Sequence, residues 1–251
     1  MKPAAWNQFT QARKHYRREI NRLLRKLPRL QAVQQQLVNS RNPSYTVETP
    51  IVYNGALDDV QPDSEIRMIL VADNPGRREQ ATENRRYLVG PSGKIAEKFF
   101  RDNPGLNIDF RKNVIILNKT PIHTPRTVEL RELCRLGGAP LETALIDSQR
   151  FMARLLREFH QALIEQKQRG KPLPVWIIGY SEMKKGGVFE AYTNELKALY
   201  SGTALQDSVF LYRHFSMNQF TIDLKQQAAR GEPLDKALAR IGAAYREKFL
   251  W

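Results

Sequence analysis

The chain has 251 residues, 40 of them Lys or Arg against 26 Asp or Glu, so its formal charge at neutral pH is +14. That length suits one substantial core with helical additions better than two domains, and the charge exceeds what solubility needs, pointing to an anionic partner, nucleic acid ahead of a membrane surface. The lone Cys134 excludes an intrachain disulfide framework and a cysteine-bound zinc or iron–sulfur site within one chain, which fits a reducing, cytoplasmic setting.

No apolar run approaches the length of a membrane span, and the start MKPAAWNQF lacks the apolar core of a secretory signal. Residues 1 to 41 are Arg-rich with Glu19 as their only acid, as in organellar transit peptides, but their apolar stripe predicts packing instead. Trp6, Phe9, Tyr16, Ile20, Leu23 and Leu27 recur at helical spacing, with Arg13, Lys14, Arg17, Arg18, Arg22, Arg25 and Lys26 between them. This basic amphipathic helix is expected to end at Pro28, with a second helical piece from Arg29 to about Val38, and Arg17 and Arg18 are candidate contacts to a DNA backbone. Residues 1–48 therefore read as a basic helical extension and 49–251 as the main domain.

Asn39 to Thr49 reads as loop, Ile51 to Tyr53 as a short edge strand, and Asp58, Asp59 and Asp63 as an exposed acidic turn without calcium-loop spacing. Ile66 to Val71 is an apolar run of strand length, stopped by Asp73-Asn74-Pro75-Gly76. Gly90-Pro91-Ser92-Gly93 then leads into a helix from about Lys94 to Arg101, with Ser92 a possible N-cap and the first-turn N–H groups able to receive an anion. A phosphate-loop reading of this turn fails, because Leu88 and Ile95 stand where that motif needs Gly and Ser or Thr.

Asn113 to Leu117 predicts a second strand ending in Asn118-Lys119-Thr120-Pro121. Helices are expected over 127–136, stopping at Gly137-Gly138, and from Leu141 to about Gln168. Lys171 to Pro174 punctuates before a third strand, Val175 to Gly179, whose end at Tyr180-Ser181 suggests no role. A helix around 188–200, a fourth strand over Ser208 to Tyr212 ending at Arg213-His214-Phe215-Ser216, and helices over 222–230 and 234–249 complete the chain. Strands alternating with helices predict a three-layer α/β/α fold with a central four-stranded, mainly parallel sheet, plus N- and C-terminal helices.

Asp73-Asn74-Pro75-Gly76 followed by Glu79, then Leu88-Val89-Gly90-Pro91-Ser92-Gly93-Lys94, then Asn113 to Pro121 and His214-Phe215-Ser216, resemble in order the motifs of the uracil-DNA glycosylase superfamily. The resemblance implies hydrolysis of the N-glycosidic bond of uracil or another deaminated base in DNA, leaving an abasic site, without metal or organic cofactor, by a monomer. It implies that Asn118 reads the base edge and His214 stabilises the departing base. Asn74 is the favoured water-positioning residue, with Asp73, a possible general base, as second choice.

Leu88, with Tyr87 beside it, stands where the family carries a stacking Phe; Ala72 replaces a Gly, and Phe215 a Pro. Ser92, Lys94, Lys119, Arg213 and Ser216 are candidate DNA contacts, Met217 or Phe215 a candidate wedge into the base stack, and His123 a possible phosphate contact. The alternative reading is a catalytically inactive nucleic-acid-binding protein on a glycosylase scaffold.

Overall fold

The computed structural model describes residues 1–40, 44–164 and 172–251. Four strands, β1 (Met68–Ala72), β2 (Val114–Asn118), β3 (Val175–Ile178) and β4 (Val209–Tyr212), form one sheet in the order β2-β1-β3-β4, every pairing parallel. The sheet is buried on both faces, as continuous apolar runs such as MILVA require. Successive side chains alternate between faces, so Ile69 and Val71 enter one core while Met68, Leu70 and Ala72 enter the other.

The first core lies beneath α1 (Pro3–Lys26), α2 (Leu30–Asn39), α5 (Glu129–Ala162) and α6 (Glu190–Tyr200). The second lies beneath α4 (Pro91–Asp102), α7 (Gln219–Gln227) and α8 (Leu234–Phe249), and together the layers make a three-layer α/β/α fold. A one-turn helix, α3 (Arg77–Gln80), follows β1. The N-terminal helices share the main core, with Phe9 and Leu23 fully buried. At about 1.5–3 kcal/mol for each such side chain, this burial docks α1 firmly on the domain.

Several local expectations need correction. Ile51 to Tyr53 forms no strand among the described residues; Ile51 makes one isolated antiparallel bridge to Ile122. α4 begins at Pro91 with Gly90 as its N-cap, so Ser92 lies inside the first turn and Pro sets the helical φ at its usual first position. The expected stop at Gly137-Gly138 is a kink within α5, where Gly138 takes φ 68°. The predicted continuation of that helix to Gln168 falls partly on residues 165–171, outside the described residues. Asp58 is no free acidic turn: it pairs with Arg17 at 2.5 Å and accepts a hydrogen bond from the Tyr53 hydroxyl at 2.9 Å.

Candidate active site

β1 and β3 are neighbours whose onward connections lead to opposite sides of the sheet, to β2 and to β4. Ligands of open parallel sheets bind beyond the carboxyl ends of strands at such a switch point. A cleft of about 600 Å³ opens there, and its lining includes Asp73, Asn74, Leu88, Asn118, Gly179 and His214. The carboxyl ends of all four strands thus meet in one concavity.

Asp73 follows β1 directly and forms an ion pair with Lys119, whose Nζ stands 2.5 Å from Asp73 Oδ1. The Lys119 side chain is fully buried and also donates to the Ile178 carbonyl at 2.6 Å, which corrects its expected role as a DNA contact. Burial lowers the Lys119 pKa, and the adjacent Asp73 charge opposes that shift. Gly179 takes φ 77°, and a Cβ there would come within 2.7 Å of Asp73 Oδ1, so the end of β3 needs glycine twice over. The third strand end, which suggested no role in sequence, is therefore part of the site.

Asn74 is held by a directional network. The Thr124 hydroxyl donates to the Arg126 carbonyl at 2.9 Å, so its oxygen accepts from Asn74 Nδ2, also at 2.9 Å. That leaves Asn74 Oδ1 toward Thr127, whose hydroxyl stands 3.1 Å from both Asn74 Oδ1 and Asp73 Oδ2. The single Thr127 hydroxyl proton serves Asn74 Oδ1 or Asp73 Oδ2 at any one time, so Asn74 Nδ2 is held by Thr124 while both residues keep acceptor capacity toward the cleft.

Asn118 is paired in register with Ala72 and is 1 % exposed. Its Nδ2 is buried with no hydrogen-bond partner among the described residues. A buried unpaired donor costs about 1–3 kcal/mol, and this one stands at the end of β2 in the wall of the cleft.

His214 follows β4. Its Nδ1 accepts the backbone N–H of Ser216 at 3.1 Å, so the neutral ring carries its proton on Nε2. Burial lowers the His214 pKa; the Asp73 charge raises it and the Lys119 charge lowers it, leaving the ring neutral at pH 7. Phe215 is fully buried, 4.4 Å from Phe220 between ring centroids and 6.3 Å from Phe99. It anchors the His214 loop from below and cannot serve as a wedge. Met217 is 77 % exposed, and it and Asn218 take φ 52° and 57°, a strained pair that lifts the Met217 side chain off the surface.

Leu88 lines the cleft at φ 52°, while Tyr87 does not: its ring is buried and its hydroxyl binds the Val52 carbonyl at 2.7 Å and the Tyr16 hydroxyl. Tyr87 is thus a core residue rather than a stacking one. The Leu88 loop is clamped by Glu79, which is 6 % exposed and accepts backbone N–H groups from Gly76, Leu88 and Val89. Burial raises the Glu79 pKa to about 7 against those hydrogen bonds. Sequence reasoning missed Glu79's burial, Thr124 and Thr127. Only Glu79's place three residues after Gly76, a capping-box spacing, could have signalled its clamp.

Arg77, Arg78, Arg126 and Arg213 also line the cleft and are exposed, giving its mouth a positive potential. Arg126 pairs with Glu129 at 2.7 Å and Arg213 with Asp223 at 3.3 Å. Ser92 and Ser216 line the cleft; Lys94 lies exposed outside its lining. His123 is fully buried, bonded to the Pro75 carbonyl at 2.8 Å and the Tyr45 hydroxyl at 2.8 Å, so it cannot meet phosphate. Arg17 and Arg18 lie outside the cleft, and Arg17 is occupied by Asp58.

Among the described residues no cluster of His, Cys, Asp and Glu is arranged to hold a metal ion, and no helix is long and apolar enough to cross a membrane. No protein-family model and no curated protein matches the chain.

Proposed function

We propose that the protein is a DNA glycosylase that hydrolyses the N-glycosidic bond of uracil or another deaminated base and leaves an abasic site. The observation carrying this reading is that Asn118, His214 and the Asp73-Asn74 pair, distant in sequence, line one cleft with an unsatisfied amide donor in its wall. Deamination replaces a base's amino group by a carbonyl. Asn118 Nδ2 rewards an acceptor at that position and would face a second donor on cytosine or adenine, which favours the deaminated base.

Base release requires the C1′–N bond to break with its electron pair passing to the base, while a water oxygen bonds to C1′. The neutral His214 donates Nε2–H to the base oxygen that gathers negative charge, and preorganised donors of this kind are worth about 10²–10³ in rate. Asp73, paired with Lys119, takes the water proton and offsets positive charge on the sugar. This gives the water-handling role to Asp73 ahead of Asn74, because a carboxylate can take the water proton whereas an amide can only orient the water. The arginines at the mouth hold phosphates on either side of the extruded nucleotide.

Leu88, lining the cleft where the resemblance expects a stacking aromatic, favours a second reading, a nucleic-acid-binding protein that extrudes no base for cleavage. Oligonucleotides containing uracil, hypoxanthine or mismatches, single- and double-stranded, assayed for alkali-labile abasic sites, separate the two. Release from any one supports the enzyme, and binding without release from all of them supports the second reading.

A further inference from the structure

We infer that the outward meridian of α1 is a second nucleic-acid contact, separate from the cleft, which grips the phosphate backbone through Lys14, Arg18 and Arg25. At 100° per residue these side chains project opposite Phe9, Tyr16 and Leu23, which are fully buried against the domain. All three cations are exposed, and none has a hydrogen-bond or ion-pair partner among the described residues.

The flanks of the same helix behave differently. Arg17 pairs with Asp58 at 2.5 Å, Arg22 with Glu19 at 2.6 Å and Lys26 with Asp147 at 3.2 Å. Cations beside the stripe are thus neutralised within the fold, and those along it are left for an external anion. No α1 residue lines the cleft, so the arginines at its mouth do not account for this stripe.

The occupant follows from the chemistry of the stripe. Asn21 stands between the cations and Asn7 and Gln11 precede them on the same face, exposed polar amides that can hydrogen-bond phosphate and sugar oxygens, and no carboxylate interrupts the stripe. An anionic bilayer would want an apolar strip for insertion, and this meridian has none. From Lys14 to Arg25 the cations span about 17 Å of helix axis, a span over which a duplex presents several phosphates at one per about 1.7 Å.

The test is the salt dependence of binding to an unmodified duplex, measured by fluorescence anisotropy for the wild type and for the Lys14→Gln/Arg18→Gln/Arg25→Gln variant. An unmodified duplex has no base for the cleft to excise, so the result does not depend on the proposed chemistry. Each lost phosphate contact flattens the slope of log affinity against log salt by about 0.9, so the triple variant is expected to lose about 2.7 and to bind more weakly throughout. Arg18→Lys/Arg25→Lys, which keeps the charge, is expected to retain the wild-type slope. An unchanged slope in the triple variant at an unchanged melting temperature overturns the assignment. So does a variant that keeps duplex binding but loses binding to vesicles of anionic phospholipid.

Discussion

The ammonium of Lys119, with none of its side chain exposed, stands 2.5 Å from the carboxylate of Asp73, itself only 16 % exposed. One residue follows β2 and the other follows β1, so the pair ties two strand ends together beneath the cleft. Replacing Lys119 with Met leaves the carboxylate in a desolvated corner with Thr127 as its remaining partner. Removing one partner of a buried pair is strongly destabilising, and a loss of about 3 kcal/mol in urea unfolding is expected. Asp73→Asn/Lys119→Met is expected to regain most of that stability while remaining inactive.

Gly179→Ala tests the close approach of β3 to Asp73. A left-handed conformation costs an alanine about 1–2 kcal/mol, and the new Cβ would press on Asp73 Oδ1. Base release is expected to fall about 100-fold, the scale set by a displacement of about 1 Å in a reacting group. Substrate affinity is expected to change little, because the phosphate contacts lie elsewhere. Single-turnover rates and equilibrium binding on the same oligonucleotide separate the two effects.

Glu79 gives the domain a pH-dependent stability. Its folded pKa is raised to about 7 from an ordinary value of 4.5, so the folded state favours the protonated form. The stabilising contribution is full below about pH 4.5 and is lost as pH rises toward 7, a change of about 3 kcal/mol. Subtracting the unfolding free energies of Glu79→Gln from those of the wild type across pH 4 to 8 isolates it. A difference that stays constant with pH contradicts the assignment.

The strands were legible because a sheet covered on both faces writes itself as short unbroken apolar runs, and Met68 to Ala72 and Val175 to Ile178 are such runs. The strand-end positions of Asn118 and His214 followed from the same runs, since parallel strands deliver their ends to one edge. Lys119 was not legible. A lysine in a polar turn reads as solvated, and its burial is decided by Asp73 and the Ile178 carbonyl, both remote in sequence. Phe215 misled in the opposite sense: an aromatic in an exposed-looking loop reads as a wedge, but Phe99 and Phe220 supply a place for it inside. Arg17 and Arg18 are adjacent and chemically identical, and the positions of Asp58 and Tyr53 distinguish them.

The most direct test of the account is single-turnover base release from a uracil-containing oligonucleotide by the wild type, Asn118→Ala and His214→Ala, with all three shown to bind the same strand. The account predicts abasic product from the wild type and a loss of at least about 100-fold in each variant at similar affinity. An absence of abasic product from the wild type, or product that survives His214→Ala undiminished, contradicts it.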